Sequence, residues 1–180
     1  VLKIIPDSNN IIYVNKSVTG SNKNGDSWAN AIPELADALK WAKLQTDFTT
    51  AAPLKIFVAG GTYKPMYSPE DGTNFGTDQT RNNSFLLVKN VQIYGGFAGT
   101  ESALTDRDLS IVANKTILSG DLGTVSNNSD NTYHVVISSG DVENALLNGF
   151  TISGGNANGT SADIIVNTNS FIKKNGGGLY

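Results

Sequence analysis

The chain has 180 residues, 16% of them charged, a formal net charge of −3 and no cysteine. That excludes disulfides, thiolate metal ligation and a cysteine nucleophile, and it leaves no positive field for nucleic acid. No apolar run reaches the roughly 18 residues of a membrane-crossing helix.

Taken in chain order, "NIIYVN" (10–15) reads as a short strand and "KSVTGSNKNGDSWAN" (16–30) as a loop. One convincing helix follows, "IPELADALKWAKLQ" (32–45). Pro33 and Glu34 suit its first turn, and Leu35, Ala38, Leu39 and Ala42 form an apolar stripe with Trp41 beside it. After it come strand runs at 54–63, 84–97, 115–121, 133–139 and 145–153, each bounded by Gly, Asn or Asp. No second helix is evident, which disfavours βαβ crossovers. An antiparallel sandwich and a parallel solenoid remain.

Self-similarity leans to the solenoid. "VAGGTY", "IYGGFAG", "TISGGNANG" and "GGGLY" each set a glycine pair beside a β-branched or aromatic residue, at irregular spacings compatible with coil-by-coil repeats. Glycine and asparagine then mark corners, although hairpin loops account for the same residues. The amphipathic helix is expected to cap the first coil, whose open backbone groups would otherwise recruit other chains. "NGGGLY" at the end reads as the start of another coil, and a first residue of Val rather than Met as a processed start.

With the phrases "IYVN", "GDSWANAIPELADAL", "IFVAGGTYKP", "VQIYGGFAGTES", "RDLSIVANKTILSGDLG", "DNTYHVV", "LNGFTISGGNAN" and "GGGLY" in view, the chain resembles the N-terminal region of secreted bacterial parallel β-helix proteins. These are pectin-lyase-like proteins, related in style to polymorphic outer-membrane adhesins. The resemblance runs from about Ile12 to Tyr180. It implies an all-β, right-handed parallel β-helix with an N-terminal capping helix. Residues 1–53 would form the first strand, loop and cap, and 54–180 the first coils, continuing into further coils of the same chain. It also implies an extracellular or bacterial outer-surface location. Such proteins include lyases, hydrolases and adhesins, so the fold does not choose the activity.

The chemistry-bearing residues are sparse. Arg107, in "TESALTDRDLS", reads either as a clamp for a substrate carboxylate or as an ion pair with Glu101, Asp106 or Asp108 that pins a loop. Arg81 reads as a solvated loop residue. A glycosidase needs clustered carboxylates, yet Asp121, Asp141 and the Asp106–Asp108 pair show no such grouping. In "SGDLGTVSNNSDNTYH" (119–134), Asp121 and Asp130, with Asn128 and Asn131, are candidate calcium ligands; Asx-turn capping explains the same residues. His134 is the only histidine, too few for a histidine metal site. Trp28 and Tyr94 are candidate carbohydrate contacts, Tyr94 by strand alternation with Gln92, against packing beneath the 64–83 segment.

Two functions fit. The first is a surface β-helix module, non-catalytic by itself, serving adhesion, display or contact with a polysaccharide or cell-surface glycan. The second is the N-terminal portion of a polysaccharide lyase or glycoside hydrolase with its catalytic residues further downstream. No cofactor is expected unless calcium binds, and neither nucleic acid nor a membrane span is expected.

Overall fold

The structure is a computed structural model that describes residues 3–160 and 163–180. Among them one α-helix, α1 (Leu35–Lys43), accompanies the strands β1 (Ile11–Val14), β2 (Leu54–Ala59), β3 (Gly61–Tyr63), β4 (Phe85–Leu87), β5 (Val91–Phe97), β6 (Thr116–Ser119), β7 (Val136–Ser138), β8 (Leu146–Asn148), β9 (Phe150–Ser153), β10 (Asp163–Val166) and β11 (Asn169–Ile172). Contacts group the chain into two units. The first is Val1–Tyr63, Val88–Ile117 and Glu143–Thr151; the second is Lys64–Leu87, Leu118–Val142 and Ile152–Tyr180.

The first unit is organised by a sheet of order β1-β2-β5-β8. Each adjacent pair is parallel, in a register that puts like on like: Ile12 beside Ile56, Ile56 beside Ile93, Ile93 beside Leu147. Side chains alternate across a strand, so those residues line one face and the neighbouring positions Tyr13, Phe57, Tyr94 and Asn148 line the other. The aliphatic face is sealed, with Ile12, Ile56 and Ile93 no more than 1% exposed. Each such side chain contributes about 1.5–3 kcal/mol. A register slip of one residue would exchange the faces, which is why the pairing is so strongly specified. A second sheet has the order β3-β6-β9.

At the β1 end the sheet is closed by the chain that leads into the helix. Ile32 pairs in parallel with Val14; its N–H donates to Tyr13 O and its carbonyl accepts from Asn15 N–H, both at 2.9 Å. Helix α1 packs against β1 with the stripe expected from the sequence: Leu35, Ala38, Leu39 and Ala42 are all buried. Asp37 lies in its first turn and Lys40 and Lys43 in its last, the arrangement that complements the helix dipole. Glu34 is the N-cap and makes no side-chain cap bond.

The "YGG" of β5 is a bulge. Pairing runs Phe57 with Tyr94 and then Ala59 with Phe97, so β5 carries one more residue than β2 over this step. Gly96 takes φ +89° there, a conformation that penalises any Cβ.

The second unit has shorter strands. β4 and β7 pair in parallel, Phe85 with Val136 and Leu86 with Ile137, and Val136 bridges in parallel to Leu179. Gly155 and Gly177 meet here, and a Cβ on Gly155 would collide with the Gly177 carbonyl. This pair therefore answers close approach of two backbones, a reason additional to the corner role expected from the sequence. β10 and β11 form an antiparallel hairpin, with Val166 opposite Asn169. Its turn residues Asn167 and Thr168 have φ +48° and +66°, a type I′ signature.

Three runs expected as single strands are each divided in two. The breaks fall at Gly60, at Asn90 with φ +59°, and at Gly149 with φ +82°. The run at 133–139 yields strand only from Val136 to Ser138, and the hairpin at 163–172 was not among the expected strands. The sequence boundary at 53/54 falls between β1 and β2, which are in-register neighbours. Among the described residues no helix is long and apolar enough to cross a membrane.

Candidate functional site

Trp28 and Tyr94 enter one aromatic cluster in the first unit, on the face of the sheet opposite the isoleucines. Phe57 and Phe97 stack at 4.5 Å with 19° between planes; Tyr13 and Tyr94 stand edge-on to Phe57 at 5.9 and 6.0 Å. Trp28 lies 4.9 Å from Tyr13 and 5.5 Å from Phe97, and its Nε1–H donates to Glu101 O at 2.9 Å. The rings are therefore engaged with one another, and Trp28 and Tyr94 are half-buried. Burial pushes the Tyr13 phenol up to about 12, helped by Asp7, and raises that of Tyr94. Segments 16–30 and 98–107 supply the covering residues Val18, Trp28 and Leu104.

Arg107 completes this cover. Nη1 donates to Gly95 O at 2.8 Å and Nη2 to Asn148 Oδ1 at 2.7 Å, with the guanidinium 5.7 Å from the Tyr94 and Phe97 centroids. It thus pins a loop, as one sequence reading held, but through a carbonyl, an amide and two rings. The nearby acids serve turns. Asp106 Oδ2 accepts from Ala103 N–H at 2.9 Å and Asp108 Oδ1 from Ser110 N–H at 2.8 Å. Glu101 accepts from the N–H groups of Ala98, Gly99 and Thr100 at 2.6–2.9 Å. Burial acts upward on the Glu101 carboxyl, and those donors together outweigh it and leave it below the usual value.

The second unit holds a concave feature that sequence reasoning missed. It is a cleft of about 770 Å³ whose walls include Lys64, Met66, Tyr67, Asp78, Arg81 and Asp130. Asp78 Oδ1 accepts from Thr80 N–H at 2.9 Å and Asn83 Nδ2 at 2.8 Å, bonds that lower its carboxyl and keep it ionised. Arg81, expected to be solvated, is a structural tie. Nε donates to Asn131 O at 2.6 Å, Nη2 to Asn156 O at 3.0 Å and Asn158 Oδ1 at 2.5 Å, and the guanidinium lies 4.1 Å over the Tyr133 ring. The cleft therefore presents fixed charges of both signs beside the apolar Met66.

The calcium candidates Asp121 and Asp130 sit in one loop. Asp121 Oδ2 accepts from Ser126 N–H at 3.0 Å and Asp130 Oδ2 from Thr124 N–H at 2.8 Å. Asn128 uses its side-chain oxygen on Asn131 Nδ2 at 3.4 Å. His134 is 1% exposed, with Nδ1 3.1 Å from Gly176 O and Nε2 buried without a partner. Burial lowers its imidazole below the ordinary value, against the pull of the Gly176 and Asn175 backbone, so the ring is neutral at pH 7.

The cleft escaped the sequence because its walls come from segments 64–83 and 122–130, which are separated by strands and share no motif. No family model matches the chain, and neither a curated protein nor a solved structure matches it.

Proposed function

We propose that the chain is a module of a right-handed parallel β-helix, capped by α1, which acts at the cell surface or outside the cell as a non-catalytic scaffold for adhesion, display or glycan contact. The observation that carries it is the in-register parallel ladder Ile12–Ile56–Ile93–Leu147, in which each strand lies on an earlier one of the same direction. The parallel β4–β7 pair supports the same winding, as does the parallel bridge from Val136 to Leu179. Hairpin β10–β11 is then an insertion in the winding.

Glycan contact is assigned to the cleft rather than to Trp28 and Tyr94, whose rings are already occupied by packing. Lys64 and Asp78 offer a donor and an acceptor there, with Met66 as an apolar floor, the mixture that recognises sugar hydroxyls and ring faces.

The winding is tested with paired cysteines in this cysteine-free chain. Lys55→Cys with Gln92→Cys places thiols on directly opposed residues, within disulfide reach, and oxidation is expected to link them. Absence of the link sinks the register. For function, a panel of neutral and acidic oligosaccharides is titrated against the wild type and against Lys64→Ala and Asp78→Asn. Binding that both variants weaken is expected. Release of unsaturated uronates or of reducing ends from any polysaccharide overturns the non-catalytic reading.

A further inference from the structure

Between Gly120 and Thr132 the chain closes on itself, with Thr132 N–H donating to Gly120 O at 2.8 Å. Inside this loop Asp121 and Asp130 grip one short turn: Oδ2 of the first takes Ser126 N–H, and Oδ2 of the second takes Thr124 N–H. Each carboxylate spends one oxygen on the turn. The other oxygens, Asp121 Oδ1 and Asp130 Oδ1, are buried and have no hydrogen-bond partner. Asn131 adds a third. It is 3% exposed, its Nδ2 reaches the loop residue Asn128, and its Oδ1 is also buried and unpartnered.

All three unmet groups are acceptors, and two belong to carboxylates. Leaving a buried acceptor unpaired costs about 1–3 kcal/mol, more when it is charged, so folded chains rarely accumulate such atoms. The nearby cationic side chains do not satisfy them: Lys64 Nζ donates to Leu122 O at 3.3 Å and Arg81 Nε to the Asn131 carbonyl, and neither is hydrogen-bonded to any of the three oxygens. What three oxygen acceptors of net negative charge accept is a hard cation. Calcium tolerates irregular oxygen shells of about 6–8 ligands, whereas magnesium demands a near-ideal octahedron. No three Asp, Glu, His or Cys converge among the described residues, so the charge count is two carboxylates. That points to weak, extracellular-type affinity, with Kd on the order of 10⁻⁴–10⁻³ M.

We infer that the 120–132 loop is a calcium site ligated by Asp121 Oδ1, Asp130 Oδ1 and Asn131 Oδ1, with water filling the remaining positions. The test uses the full chain freed of metal by EDTA, titrated with CaCl2 by calorimetry and melted with and without 10 mM CaCl2. Saturable binding in the stated range and a calcium-dependent rise in Tm are expected, with a smaller rise from MgCl2. Asp130→Asn keeps an acceptor for Thr124 N–H but removes charge, and is expected to weaken binding about tenfold or more. Asn131→Asp is expected to tighten it, a gain that misfolding does not imitate. Asp47→Asn, an exposed carboxylate outside the loop, leaves binding unchanged. No heat and no Tm shift at 10 mM CaCl2 overturns the site and leaves water as the occupant. Binding of equal strength in wild type, Asp130→Asn and Asn131→Asp overturns it as well.

Discussion

The two units are held together by different forces. In the first, a four-stranded parallel ladder separates an aliphatic face from an aromatic one, and most of what is buried is apolar. In the second, strands run three or four residues and most of the buried polar side chains among the described residues are found: Ser68, Asn83, Ser84, Ser119, Asn131, Thr132, His134 and Ser139. Apart from Asn131, whose amide reaches the Asn128 side chain, these bond to backbone. Ser84 Oγ–H donates to His134 O at 2.6 Å, Ser139 Oγ–H to Val166 O at 2.5 Å, and Thr132 Oγ1–H to Asn83 O. Where the ladder is long, non-directional burial suffices to hold it. Where it is short, side chains must satisfy the carbonyls that no neighbouring strand reaches. The first unit is thus sensitive to lost volume and the second to lost donors.

The largest expected effect tests the first half of that contrast. Phe57 is 1% exposed, stacked on Phe97 and flanked by Tyr13 and Tyr94. Phe57→Ala is expected to cost about 3–5 kcal/mol in urea denaturation. A cost below about 1 kcal/mol would mean that the aromatic face is loosely packed. Next comes the second unit. Arg81→Ala removes three hydrogen bonds and the stack on Tyr133, and is expected to cost about 2–3 kcal/mol although it empties no core. Arg81→Lys restores the charge but not the planar fork, so it should recover less than half of that. Full recovery by lysine would reduce the tie to simple electrostatics.

A pH series sharpens the comparison, because the chain's single histidine lies in the donor-dependent unit. Burial holds the folded His134 below its ordinary value of 6.5. Between the lowered folded value and 6.5 the unfolded chain therefore binds more protons. Stability contributed by the neutral ring is complete above that window and is lost as pH falls through it, at about 1.4 kcal/mol for each unit of depression. Tm measured from pH 7.5 down to 5 should fall, and His134→Gln should flatten the part of the slope that lies near 6. An unchanged slope would place the acid sensitivity elsewhere.

What the sequence made legible follows the same division. The stripe Leu35–Ala38–Leu39–Ala42 is a periodic signal of burial and "IIYV" an apolar run between asparagines, and the expected helix 32–45 and strand 10–15 overrun α1 and β1 by three residues or fewer at each end. The runs 54–63, 84–97 and 145–153 misled because apolar residues stand on both sides of each break. Periodicity registers hydrophobicity but not the sign of φ at Asn90 or Gly149. Arg81 read as solvated because its acceptors lie fifty residues or more away and two of them are backbone carbonyls, which no side-chain pattern reveals. Asp121, Asp130 and Asn131 were visible as residue types, but the burial that leaves an oxygen of each unpartnered was not.

The hairpin turn is the smallest and cleanest break. It escaped notice because "NT" lacks the glycine that advertises a type I′ turn, and because Asp163, Ile165, Asn169 and Ser170 are exposed. Thr168, β-branched, is held at φ +66°, where a Cβ is penalised. Asp71 underwrites that conformation. Its Oδ1 accepts from Asn167 N–H at 3.0 Å and its Oδ2 from Thr168 N–H at 2.8 Å, while its own N–H donates to Ile165 O at 2.8 Å. Thr168→Gly keeps every one of these backbone bonds and removes the strained side chain, so it should stabilise the chain by about 1 kcal/mol, less the entropy that glycine adds to the unfolded state. In an Asp71→Ala background the clamp is gone and threonine has nothing to hold it left-handed. The gain from glycine should then grow, and a double-mutant cycle measures that growth directly. Equal gains with and without Asp71 would show that the turn is fixed by the hairpin register alone and that the carboxylate merely decorates it.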